Sequence, residues 1–295
     1  MVAHSSGQLW DRVRADVLDT ARNPGLAGSV LDGHLCLVEF SLYGGEPYDE
    51  VIGFARKLRA AADRAGAVRG AAFAATVLGE AELLSGRVEE AEGDLRSAID
   101  LARRSRADVG QAHAMQRLAE TALAAGRPDQ ARARLAEALP IAQASLLAQH
   151  LLPRIYDVAI RAAQDPAAAL HTLEEAEEAL ADTPACTPCS IGFLIAAAIA
   201  CAQAGLPDRA RSYGERASHV AGMWRRGAWT AGVTEAQAVL VVAEGELQRA
   251  ATLFGDAAEL FRRAGQPLDE ARCRIRAGEI ASGNPPRNSR GRTAP

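Results

Sequence analysis

LGEAELLSGRVEEAEGDLRSAIDLA, running from Leu78 to Ala102, is echoed by LAETALAAGRPDQARARLAEAL from Leu118 to Leu139. In each, an apolar helical run ends at a glycine, Gly86 or Gly126, and a second amphipathic run follows at once. Glycine reaches the left-handed backbone that ends a helix without steric cost. Gly205 and Gly245 punctuate the chain in the same way. The separations of 40, 79 and 40 residues leave one repeat hidden in the middle, where Gln164 takes the slot. Self-similarity at such a period is the mark of a repeat architecture.

Aligning on these turns brings small residues into register. Five positions on stand Ala91, Ala131, Ala169, Ala210 and Ala250; twelve positions on stand Ala98, Ala138, Ala176, Ala217 and Ala257. Between them lie Leu95, Leu135, Leu173 and Phe254, with Gly214 as the exception. Residues seven apart share one helix face two turns apart, so two helices can approach closely along it while the bulky residue fills the groove. The spacing predicts the helix pairs Arg69–Ser85 with Val88–Ser105, Val109–Ala125 with Pro128–Ala144, and Gln149–Ala163 with Pro166–Ala181. It continues with Pro188–Ala204 and Pro207–Ala221, then Gly227–Glu244 and Leu247–Ala264, and closes on a half-repeat at Pro267–Ser282. Pro128, Pro166 and Pro207 open second helices, where the missing N–H costs nothing. Upstream, Leu9–Ala21, Leu26–Leu42 and Tyr48–Ala65 read as helices that fit the template poorly.

The Leu-Gly, Gly, Ala, bulky residue, Ala pattern of these segments resembles tetratricopeptide repeats (TPRs). The period near 40 and the stretches 186–211 and 224–274 resemble the sensor regions of bacterial LuxR-type (MalT-like) and SARP-type transcriptional regulators. The resemblance implies an all-α, right-handed superhelical solenoid of about five to six hairpins. The expected organisation is a helical N-terminal cap or degenerate repeats over 1–66, the array over 67–281 and a disordered tail over 282–295. It also implies that first helices line the concave side, which places Gln116, Glu120, Arg154, Arg161, Gln203 and Glu235 in the groove beside Leu83, Leu123, Leu151 and Ile195. Thr76, Gln116 and Arg154 stand where lysine of a carboxylate clamp would, which argues against a receptor for chaperone tails.

Composition agrees with helix. Apolar residues make up 48% of the 295, aromatics only 4%, and alanine runs occur at 60–62 and 196–198. Net charge is −4, so no general basic field favours nucleic acid. Lys57 is the only lysine, in GFARKL, and no G-x-x-x-x-G-K-[ST] loop exists, which removes P-loop hydrolysis. No secretory leader and no apolar run of membrane-spanning length is legible, so a cytoplasmic protein with no membrane partner is expected.

Two constellations carry chemistry of their own. Cys186-Thr-Pro-Cys189 has the spacing of a zinc or redox pair, with Cys36, Cys201, Cys273 or His171 as contributors that only folding could bring in. The plainer reading is a helix start shaped by Pro184 and Pro188. The six histidines never fall at metal-ligand spacing. Trp224, Arg225 and Trp229 suggest a stacking site for a planar or anionic ligand, against the simpler role of filling the joint between repeats. No nucleophile–base arrangement is legible and no cofactor is implied. The expectation is therefore a non-catalytic scaffold that binds a protein or peptide in its groove, in transcriptional or signalling regulation. A small-molecule effector, sensed between repeats, is the alternative; an enzyme working in the groove is third.

Overall fold

The computed structural model describes residues 42–43, 46–183, 185–224 and 227–283. The helices expected over 9–21 and 26–42, apart from Leu42, lie outside them, as do Arg225 and the tail beyond 283. The described residues contain twelve α-helices and no strand. In chain order they are α1 (Tyr48–Arg64), α2 (Val68–Leu84), α3 (Val88–Arg104), α4 (Asp108–Ala124), α5 (Pro128–Gln143) and α6 (Ala148–Ala162). There follow α7 (Pro166–Ala181), α8 (Ile191–Gln203), α9 (Pro207–Ala221), α10 (Ala228–Ala243), α11 (Leu247–Ala264) and α12 (Pro267–Ala281). A single 3₁₀ turn, Pro188–Ser190, leads into α8 where the sequence reads as one continuous helix from Pro188.

The hairpins form where the glycines and alanines place them. Gly86, Gly126, Gly205 and Gly245 have φ between 71° and 86°. At the hidden turn the chain does something else: Gln164 is followed by Asp165, whose carboxylate accepts the Ala168 N–H at 2.8 Å and caps α7. The ten register alanines are all buried. Gly79 on the facing helix α2 shows how close the approach is: a Cβ there would fall 2.6 Å from Leu95 Cγ. The bulky residue missing at Gly214 is supplied one position earlier by Tyr213, which is buried and meets Phe193 edge to face at 6.1 Å.

Curvature follows from which helices touch. The first helices α2, α4, α6, α8 and α10 each pack on the next, whereas the second helices make no comparable contacts with one another. Shoulder-to-shoulder first helices with splayed second helices put the former on the inside of the curve. Burial agrees: 13 of the 17 residues of α2 are buried, against five of 17 in α3. The result is the right-handed superhelical solenoid implied above. Its ends meet. The α2–α3 turn at Gly86 lies against Pro267 at the start of α12, and α1 sits on α2 while its Tyr48 reaches the turn before α12.

Candidate functional site

Among the described α-helical residues, the buried polar or charged side chains lie on first helices: Thr76, Glu80 and Glu82 on α2, His113, Gln116, Arg117 and Thr121 on α4, Arg154 on α6, and Glu235 on α10; Ser190 is buried in the 3₁₀ turn before α8. Burying such groups is costly unless they are paired. The pairing runs from repeat to repeat. Arg117 Nε donates to Glu80 Oε1, 37 residues back, while its Nη1 reaches Glu120 Oε2 at 2.6 Å. Arg161 on α6 joins Glu120, 41 residues back, and binds Asp157 Oδ1 at 2.9 Å. Gln116 Nε2 donates to Glu120 Oε2 at 3.2 Å. A charged ladder therefore crosses α2, α4 and α6, and Gly192 on α8 leaves room for its end: a Cβ there would lie 2.6 Å from Asp157 Oδ2.

Electrostatics fixes the protonation of this ladder. Burial pushes the Glu80 carboxyl up, but the Arg117 cation with His113 and Arg154 outweighs it and holds the group at about 2. Glu120 is likewise held at about 2, because Arg117 and Arg161 overcome its desolvation. Burial raises Asp157, and its partner Arg161 is raised because Asp157 and Glu120 outweigh its own desolvation. Two acceptors in the ladder, Glu80 Oε2 and Gln116 Oε1, are buried with no hydrogen-bond donor among the described residues.

The residues expected to share one groove divide among four places. Gln116, Glu120 and Arg161 meet in the ladder, to which Glu80, Arg117 and Asp157 also belong. Glu235 forms a two-pronged ion pair with Arg272 of α12, at 2.8 and 2.6 Å. Gln203 is exposed on the last turn of α8 and joins neither. Arg154 faces the cysteine pair, its Nη2 lying 3.3 Å from Cys189 Sγ. Cys186 and Cys189 do converge, and the side chain that joins them is His150 at the start of α6, neither His171, which is exposed and pairs with Glu175, nor the buried Cys201 and Cys273. Burial raises both of those thiols.

Trp224 and Trp229 approach to 6.2 Å between ring centroids. Tyr43 stacks on Trp229 at 4.2 Å and meets Trp224 edge-on, while Arg117 Nη1 reaches the Tyr43 hydroxyl at 3.4 Å. Tyr43 thus spans the inner face from α4 to α10, and the chain's own ring covers one face of Trp229.

The described residues form an array of TPR-like helical hairpins whose inner helices carry paired charges. A tetratricopeptide repeat family model matches residues 71–144, the hairpins α2–α3 and α4–α5. Among curated proteins none matches the sequence. Solved structures share the fold, two Rap proteins among them. The first is a Rap protein in complex with competence and sporulation factor: 14% identical, covering 88% of this chain and 76% of that one, with a TM-score of 0.54. The second is the Rap conjugation gene regulator of plasmid pLS20 in complex with the Phr* peptide, at 15% identity, 85% and 76% coverage and a TM-score of 0.52.

Proposed function

We propose that this chain is a non-catalytic regulatory scaffold that binds a peptide segment along the inner face of α4 and α6, where Glu120, Arg161 and Asp157 present both signs of charge. The carrying observation is the ladder itself. Its members are held across repeats before any partner arrives, so little ordering is left to be done on binding. Leu123 on α4 and Ile195 on α8, both partly buried and flanking α6, supply apolar contacts for a peptide with one apolar face. The Phr* peptide bound in the second of the two Rap structures supports the same reading. Tyr43 already lies on part of this face, so a peptide would share it. The regulatory context rests also on the likeness of 186–211 and 224–274 to sensor regions of transcriptional regulators.

The test is selection of random peptides on the immobilised full chain, followed by titration of the winners against Arg161→Ala and Glu120→Ala. Charge-assisted hydrogen bonds of this kind are worth about 1.5–3 kcal/mol, so affinity falls about tenfold or more. Selected peptides that bind both variants as well as the parent chain would rule the ladder out.

A further inference from the structure

Outside the ladder the chain carries a second built cluster. Cys186 lies in the α7–α8 connector, Cys189 in the 3₁₀ turn that follows, and His150 in the first turn of α6. One ligand atom from each, two sulfurs and an imidazole nitrogen, all fall within 4.8 Å of one another, and His150 Nδ1 stands 3.3 Å from Cys189 Sγ. Around a tetrahedral zinc ion, with bonds of about 2.3 Å to sulfur and about 2.05 Å to nitrogen, donor atoms sit about 3.6–3.8 Å apart. The backbone holds the cluster in place: the Cys186 N–H donates to Gln149 O at 3.0 Å, next to His150, and Ser190 N–H closes the turn onto Cys186 O at 3.0 Å. Arg154 Nε donates to His150 O at 3.1 Å while its Nη2 points at Cys189 Sγ at 3.3 Å. One guanidinium thus touches the Cys189 sulfur directly and ties it to the backbone of His150, as outer groups do around metal ligands.

We propose that His150 Nδ1, Cys186 Sγ and Cys189 Sγ bind one zinc-class divalent ion, leaving one tetrahedral position for a fourth donor. Two thiolates and an imidazole select a borderline-soft ion over magnesium or calcium. Binding releases the two thiol protons, and the resulting centre of two thiolates, one neutral imidazole and a dication carries no net charge. The ion ties the start of α6 to the entrance of α8. It bridges two successive inner helices across one of the two longest connectors between helices, residues 182–187.

The experiment titrates cobalt(II) into the full chain, reduced and kept free of oxygen. Visible bands of tetrahedral cobalt and near-ultraviolet thiolate charge transfer should rise together, saturate at one ion per chain and vanish on addition of one equivalent of zinc. Cys189→Ser and His150→Ala should lose stoichiometric binding. Because either change could fail by unfolding the chain, His150→Cys serves as the second variant. It should restore binding with charge transfer increased by about half, as three thiolates replace two. Reduced protein that develops no charge transfer would overturn the proposal, as would bands indifferent to Cys189→Ser. So would an air-formed Cys186–Cys189 disulfide in a chain that takes up no metal after reduction.

Discussion

The Gln266 side-chain amide donates a 2.7 Å hydrogen bond to the Tyr48 hydroxyl, joining residues 218 positions apart. Both side chains are buried, and Tyr48 also rests against Gly265 in the left-handed turn between α11 and α12. Beside them Arg87, from the α2–α3 turn, pairs with Asp49 of α1. This single locus brings the first described helix, the first hairpin and the last helix together. An open array has two free ends; here the ends brace each other, and the inner face they enclose is held at fixed curvature.

Tyr48→Phe tests the brace. It keeps the ring and strips the hydroxyl, leaving the Gln266 amide buried with one acceptor fewer. The expected cost is about 1–3 kcal/mol in urea unfolding. A change within about 0.3 kcal/mol would mean that the ends close without this bond.

Glu82 and Glu80 respond to pH in opposite directions. Burial, with Asp94 adding to it against Arg56, raises the Glu82 carboxyl to about 7. The folded state therefore binds a proton more tightly than the unfolded one, and this group's contribution is present below about pH 4.5 and lost as pH rises toward 7. Glu82→Gln removes that loss, so the variant should be more stable than the parent at pH 7.5, by about 1–3 kcal/mol, and similar to it at pH 4.5. Glu80, held at about 2, contributes stability above about pH 4.5 that fades as pH falls toward 2. Glu82→Gln should leave that acid limb unchanged. Thermal melts across pH 3–8 read both.

Arg106 adopts φ 53°, alone among the described non-glycine residues in the left-handed region, between α3 and α4. Arg69 bonds the carbonyls of Ser105 and Arg106 at 3.2 Å each, which any residue at 106 would preserve. Arg106→Gly relieves backbone strain of about 1 kcal/mol and should leave the protein as stable or up to about 1 kcal/mol more so. A destabilisation of that size in calorimetry would assign the Arg106 side chain a contact of its own.

Two glycines within helices should behave oppositely. At Gly79 a methyl group meets Leu95 Cγ at 2.6 Å, so Gly79→Ala should cost about 1–3 kcal/mol. At Gly214 nothing lies within 4 Å of the added atom, and Gly214→Ala should stabilise α9 by about 0.5–1 kcal/mol. Chemical denaturation of the pair separates close packing from helix propensity.

The hairpins were legible because small residues recur at fixed phase, and burial of the ten alanines is what that phase means physically. Gly214 looked like a break only because Tyr213 had taken over its job from the adjacent position. The ion pairs between inner helices obey the same period: Glu80 with Arg117 and Glu120 with Arg161 in the ladder, and Glu235 with Arg272 outside it, stand 37, 41 and 37 residues apart. His150 and Cys189 stand 39 apart, one repeat again. Histidine spacing alone says nothing of that pairing, since the relevant distance is the repeat length and not a helical turn. The contacts of Tyr48 and Tyr43 with the far end of the array carry no period at all. They depend on how far the superhelix turns, a sum of small rotations that no local pattern encodes.

Peptide binding along the inner helices is tested most directly by photo-crosslinking a selected peptide to the full chain and mapping the adducts by mass spectrometry. The account predicts adducts on α4 and α6 near Glu120, Asp157 and Arg161, reduced when Arg161 is changed to alanine. Adducts confined to the outer helices α3, α5 and α7 would contradict it.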